Sequence, residues 1–389
     1  MHSISQRIGN YRNRKLIQDP AAPHFANPAL LVDLSILGSL PLDVRIRPPF
    51  PPLEPTAEQG NVRIGPIAAL PLVLAALGTD PRRVFAKAKV KLATFANPEN
   101  RLPLEAVGRL LAVGEAMSGC DHIGLLLGKR FTLKDLGAVG FLVRNSPTLG
   151  EALRDLLSHL QLHDRGAAPV LLQQEPNAIL LGYSIYRHGL PATAQIYSGA
   201  ITIAYRILQE LCGPAWKPLS VQFSHRRPVE LRAYRALFGP NVRFDAEVSG
   251  IVFQSSCLAA PIAGADPVLH QAIAAGVRQA ISTGPYTFAD QVQCVLHQLV
   301  LSGNVSAKHV AGLFGVHERT LRKKLSVEGT GLQQLVDKTR FELAQQLLRN
   351  TRLPLSEIAS SLHFADLSTF SRAFRGWADT SPSQYRGHS

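Results

Sequence analysis

The chain has few cysteines, and none of them are spaced to build a site. Cys120, Cys212, Cys257 and Cys294 lie far apart and form no Cys-x-x-Cys pair. They read as small core residues in a reducing compartment, not as a disulfide framework or a zinc site. The patterns G-x-S-x-G, H-E-x-x-H, G-x-x-x-x-G-K-[ST] and G-x-G-x-x-G are all missing, which removes the usual sequence signs of hydrolytic or nucleotide chemistry. Long apolar runs are missing too. The longest, IGPIAALPLVLAALG at 64–78, is interrupted by two prolines and falls short of the ~20 residues that cross a bilayer. Arg7, Arg12, Arg14 and Lys15 precede ALLVDLSILGSLPL, but Asp33 breaks that run and no A-x-A site follows, so no signal peptide is expected.

What is present is a globular composition: 389 residues with 46% apolar and 18% charged side chains, enough for two or three domains with sizeable cores. The formal net charge of +13 favours an anionic partner and says nothing of fold. Its distribution matters more. Residues 290–389 hold twelve Lys and Arg against eight Asp and Glu, a modest +4, so most of the excess lies upstream. Placement of cations, not their sum, has to carry any reading of an anionic partner.

Residues 1–60 contain nine of the 27 prolines, clustered in RIRPPFPPLEP. Such a segment buries too little apolar surface to offset its ordering entropy, and a disordered extension is expected. From 61 the period turns helical. LPLVLAALGTDPRRVFAKA reads as helix, turn and helix; PLEAVGRLLAVGEAMSG and SPTLGEALRDLLSHLQLH repeat apolar residues at three and four. PVLLQQEPNAILLGYSIY suggests a hairpin around Pro-Asn, AQIYSGAITIAYRILQELCG another helix, and PLSVQFSH and GIVFQSSCL two strands. The fold expected is therefore an α+β domain over 61–265, a linker over 266–289, and an all-α region over 290–389.

Within that last region, NVSAKHVAGLFGVHERTLRKKLSVEG (304–329) carries the recognisable chemistry. Ser306 suits a helix cap. Ala311, Gly315 and Leu321 supply the small crossing residue, the turn residue that tolerates left-handed geometry, and the inward anchor of a helix-turn-helix. Leu321 and Leu325 then face in, and Arg319, Arg322 and Lys323 face out near the start of the second helix, where this motif enters a major groove. Lys324 is rotated away, towards backbone contact or plain solvation. The plan recurs 48 residues on in LSEIASSLHFADLSTFSRAFRGW (355–377), with Ser356 as cap, Ala359 at the crossing, Phe370 and Phe374 inward, and Ser368, Thr369, Arg372 and Arg375 outward. Between the units, Leu332, Leu335, Val336, Leu343, Leu347 and Leu348 form the stripe of a spacer helix. Two units held by one helix reach successive major-groove faces from a single chain.

These residues, down to the closing FSRAFRGWADTSPSQYR, resemble the C-terminal DNA-binding domain of the AraC/XylS family of bacterial transcription regulators. The resemblance implies double-stranded promoter DNA and RNA polymerase as partners, a cytoplasmic location and a homodimer as one assembly. It places Arg319, Arg322 and Lys323 on base-reading positions of the first unit, and Leu367, Ser368, Thr369 and Arg372 on those of the second. His363 departs from the family's usual glycine, so that turn is expected to be strained or rearranged. Glu318 and Asp366 sit at the two recognition-helix starts, as caps or as acceptors from cytosine, the cap being preferred.

Residues 61–265 are similar to the arabinose-binding-type domain of the same family, through RIGPIAALPLVLAALGTDP, FANPENRLPLEAVGRLL, DLGAVGFLVRNSPTLGEALR and CGPAWKPLSVQFSHRRP. That likeness implies a small organic effector. No cofactor and no metal are expected, and no effector-binding residue can be singled out. His159 and His163 with Arg165 make either a polar patch or a solvated helix end, and SHRRP (224–228) either an anion site or a loop. The alternative function is a DNA-targeted hydrolase or repair enzyme, for which neither YSGA at 197–200 nor HDRG offers a complete catalytic set.

Overall fold

The computed structural model describes residues 61–387 apart from 161–162, 165, 186–188 and 283–286. The expected extension over 1–60 and Arg165 lie outside the described residues. A short ladder opens the fold: β1 (Asn61–Arg63) pairs antiparallel with β2 (Arg101–Pro103). Between them run α1 (Leu70–Ala76) and α2 (Pro81–Lys87), joined by a turn in which Gly78 takes a positive φ of 72° and Asp80 caps α2 by accepting from Arg82 N. Then come α3 (Leu104–Ser118), α4 (Ile123–Lys129), α5 (Gly137–Arg144) and α6 (Leu149–His159). No single described helix is long and apolar enough to cross a membrane. α3 and α4 would pass together, but the chain bends by 111° between them.

The main sheet has five strands in the order β3-β4-β7-β5-β6. β3 (Ala167–Glu175) and β4 (Ala178–Ile185) form the expected hairpin, and the long helix α7 (Thr193–Cys212) follows. β5 (Ser220–Gln222), α8 (Arg232–Phe238), β6 (Val242–Arg243) and β7 (Ser249–Gln254) complete it. β5 and β6 pair in parallel, while the other neighbours are antiparallel.

AILLGYSI in β4 is apolar at nearly every position because the sheet is covered on both faces. Ile179 and Leu181 turn to one face, with Ile251 and Phe253 of β7, and pack against Ile201, Tyr205 and Leu208 of α7. Leu180 turns to the other, with Val170 and Leu172 of β3 and Val252 of β7. That second face meets the C-terminal region. The period of two assigns each β4 side chain to one neighbour or the other.

α9 (Pro267–Ser282) packs on α5 and leads to α10 (Phe288–Leu301), α11 (Ala307–Leu313), α12 (Glu318–Val327), α13 (Leu332–Asn350), α14 (Leu355–Ser361), α15 (Leu367–Ala378) and α16 (Pro382–Gly387). The two helix-turn-helix units have different cores. Val310, Ala311, Leu321 and Leu325 of the first close on α10 and the start of α13. The second unit's Ile358, Ala359, Phe370 and Phe374 share one cluster with Leu343, Leu347 and Leu348 of α13 and with the sheet residues Val170, Leu172, Leu180 and Val252.

Polar contacts fix the same junction. β3 is an edge strand, and the Gln298 side chain of α10 pairs with it as another strand would. Leu171 N donates to Gln298 Oε1 at 2.6 Å, and Gln298 Nε2 donates to Leu171 O at 2.5 Å. Ser184 Oγ lies 3.0 Å from His297 Nδ1, Gln346 Nε2 donates to Ser224 Oγ at 3.0 Å, and Arg352 N donates to Asp245 Oδ1 at 2.9 Å.

Candidate DNA-reading surface and effector cavity

In the first unit, Ser306 caps α11 by accepting from His309 N at 3.1 Å, and Gly315 adopts the left-handed turn with φ of 61°. His317 is the N-cap of α12, its Nδ1 accepting from Arg319 N at 3.3 Å. Leu321 and Leu325 are fully buried, which turns Arg319, Arg322 and Lys323 to solvent. Among the described residues Arg322 pairs with Glu318, an i,i+4 contact at 3.6 Å, the arginine well exposed and the glutamate about half-buried. Such a pair adds little stability and leaves the guanidinium free to move to another acceptor. Lys324 is held differently, its ammonium 4.8 Å from the centre of the Phe288 ring. One turn on, Glu328 accepts from Phe288 N and Ala289 N at 2.9 and 2.7 Å, so α12 caps the start of α10.

The second unit repeats this plan with two corrections. Ser356 is not a cap: it lies inside α14, Pro354 holds the cap position, and no side chain caps that helix. The turn is also one residue longer. Gly315 precedes the α12 cap by two residues, whereas its counterpart His363 precedes the α15 cap Asp366 by three. His363 takes the left-handed conformation itself, with φ of 56°. Its ring lies over Gly303, where an added Cβ would sit 2.8 Å from it, and Nε2 is 3.3 Å from Leu301 O. Packing on α10's end thus offsets the cost of a Cβ in that region.

Asp366 settles its own ambiguity as a cap. Oδ1 accepts from Thr369 N at 2.7 Å and from Ser368 Oγ at 2.8 Å, and these bonds hold the carboxyl down to about 2. Ser368, Arg372 and Arg375 are exposed and Thr369 half-buried, while Phe370 and Phe374 are fully buried. Because the folded pKa lies below the ordinary 3.8, the cap's contribution is present above that value and fades as pH falls towards 2.

The effector side centres on a cavity of about 120 Å³ between the helical half of the first domain and the sheet. Leu104, Val107 and Leu111 of α3 form one wall. Ile196, Ile203 and Ile207 of α7 form another, and Leu181 and Tyr183 of β4 close it. Polar groups gather at one end. Tyr183 OH donates to Asp164 Oδ2, and Gly166 N donates to Asp164 Oδ1 at 2.7 Å. Burial raises the Asp164 carboxyl and the Tyr183 hydroxyl alike.

His163 joins them, which corrects the patch-or-helix-end reading. α6 ends at His159, and His163 lies beyond it, buried to 5% exposure. Burial pushes its pKa to about 3, with Arg63 and Arg101 adding to the effect. SHRRP does not line the cavity. Ser224 and His225 are buried, Ser224 against Gln346 of α13, and Arg226 and Arg227 are exposed in a loop.

His225 is likewise held neutral by burial, at about 4. Both rings bind fewer protons folded than unfolded below their ordinary 6.5. We expect the urea midpoint to fall as pH drops from 6.5 towards 4, and a His163→Leu, His225→Leu double variant to flatten that slope. Ser198 Oγ comes within 3.4 Å of His225 Nε2, but it also contacts Tyr234 OH at 2.8 Å. The opposite ring nitrogen faces the Arg226 carbonyl at 3.0 Å rather than a carboxylate, and Ser198 is fully buried. That arrangement has no face for a substrate.

A family model described as the arabinose-binding domain of AraC transcription regulator, N-term, matches residues 78–262, and one described as a helix-turn-helix domain matches 310–388. The chain is similar to the ornithine utilization regulator of Pseudomonas aeruginosa, 29% identical over 352 residues, covering 86% of this chain and 98% of that protein. It is also similar to the HTH-type transcriptional regulator VirS of Mycobacterium tuberculosis, 26% identical over 313 residues, covering 80% and 92% respectively. A DNA-binding regulator with two helix-turn-helix units and an effector domain is the class these features define. The chain belongs to the AraC-type transcription regulators.

Proposed function

We propose that a small molecule in the cavity alters how the second helix-turn-helix unit is presented to promoter DNA, and so how RNA polymerase is recruited or blocked. The single observation that supports this is β4. Leu181 and Tyr183 line the cavity on one side, while Leu180 and Ser184 on the other meet the cluster and the α10 histidine that hold the DNA-binding region. A ligand shifts the equilibrium only as far as it favours one packing over another, and the strand's two faces give it a direct means. Arg319, Arg322, Lys323, Ser368, Thr369 and Arg372 read bases in this proposal, with Leu367 beside the thymine methyls and Arg375 on the backbone. Lys324 serves the α10 contact more than DNA.

The first domain then ends in the turn before α9, near 265, and 266–289 links it to the reader. Work at promoter DNA places the protein in the cytoplasm of a bacterium, with no catalytic step, and with a homodimer as one way to occupy paired half-sites. Footprinting at the chain's own promoter region, with and without metabolites, tests the sensor. Gln298→Ala removes both bonds to the β3 edge and is expected to blunt the effector's influence on the footprint while leaving effector affinity unchanged. An unaltered response in that variant overturns the coupling route.

A further inference from the structure

We propose that the cavity takes a compact apolar molecule bearing one hydroxyl, of the phenol or cyclic-alcohol class, with the hydroxyl donating to His163 Nδ1. The proposal rests on the effector reading above and deepens it. Size comes first: about 120 Å³ is close to the ~150 Å³ apolar cavity that admits benzene. It suits a single ring better than a long chain.

The polar inventory comes next. Four lining side chains are polar: His163, Asp164, Tyr183 and Gln195. Three are committed elsewhere. Asp164 and Tyr183 bond each other. Gln195 Oε1 accepts from Gly124 N at 3.0 Å and its Nε2 donates to Asp121 O at 2.6 Å, which ties α7 to α4. His163 alone is left with an open position: Nδ1 is buried and has no partner among the described residues. In the proposal the neutral ring carries its proton on Nε2, which leaves the lone pair of the unpartnered Nδ1 as the acceptor. A lone pair at the end of an apolar cavity calls for one donor from the ligand.

This chemistry excludes the two effector classes that the comparisons bring to mind. A pentose would bury several hydroxyls against aliphatic walls, each unmatched one weakening binding by tenfold or more. Ornithine would place ammonium groups near Arg63 and Arg101, the same guanidiniums that disfavour a proton on His163.

Isothermal titration of the full chain with phenol, cyclohexanol, toluene, benzoate, L-arabinose and L-ornithine tests the assignment. Phenol and cyclohexanol are expected to saturate the protein, with toluene roughly tenfold weaker and the other three weaker still. His163→Leu should bring phenol down to the toluene level without changing toluene. Ile203→Phe, which fills the cavity from the opposite wall, should abolish both, and it serves if the His163 variant does not fold. Tighter binding of arabinose, ornithine or benzoate than of phenol overturns the proposal, as does unchanged phenol affinity in either variant. Footprinting separates the two readings. Phenol binding that leaves the footprint unmoved defeats the sensor and not the ligand class; a footprint moved only by arabinose or ornithine defeats the class and not the sensor.

Discussion

Phe374→Ala is expected to lower stability by about 3–5 kcal/mol, the usual cost of removing a buried aromatic ring where the surroundings relax only in part. Phe374 is fully buried, with ring centres of Phe341, Phe370 and Tyr385 at 5.5, 5.9 and 5.3 Å. Its cluster runs through α13 to Leu180 and Val252 of the sheet. The loss should therefore reach beyond the second unit and loosen the junction with the effector domain. The first unit closes on a separate cluster and should keep its fold. Urea unfolding would show the second unit and the sheet melting early, and site-specific DNA binding would be lost while weak non-specific binding persists. A cost below about 1 kcal/mol would mean the pocket around Phe374 collapses without penalty, and the shared-core account would fall.

Arg322→Ala and Arg372→Ala are each expected to cost about 1–3 kcal/mol of binding at a specific site, with little loss on random DNA. Arg322 pairs with Glu318 at 3.6 Å on an exposed surface, and Arg372 is exposed on the α15 face opposite Phe370 and Phe374. Both substitutions should leave urea stability within about 0.5 kcal/mol of the parent, as exposed positions usually do. Equal loss on specific and random DNA would reassign these arginines to phosphates, and a smaller salt slope would accompany that result.

Much of the reader was legible from residues alone. Ser306, Gly315, Leu321 and Leu325 hold the places their chemistry suggests, because caps, left-handed turns and buried leucines are decided within a turn or two of the chain. Local patterns failed where a distant partner intervened. His363 reads as a misfit until Gly303 is found beneath its ring, 60 positions earlier. Lys324 reads as a solvated cation until Phe288 arrives from another helix. Ser356 looked like a cap by analogy with Ser306, but Pro354 begins that helix two residues sooner.

The effector side was the least legible. His163 and Asp164 sit in a polar stretch with the look of a helix end, and nothing within five residues predicts burial to 5% and 7%. Tyr183 and Leu181 read only as strand residues.

By itself the sequence determined the two helix-turn-helix units, their spacer, and which side chains face outward on each second helix. Those features depend on periods and caps that act over a few residues. Only the tertiary structure decided that the two units have unlike cores, that one strand serves both cavity and reader, and that His163 Nδ1 is buried without a partner among the described residues. Each of those depends on groups 50 to 200 positions apart, which no local period encodes.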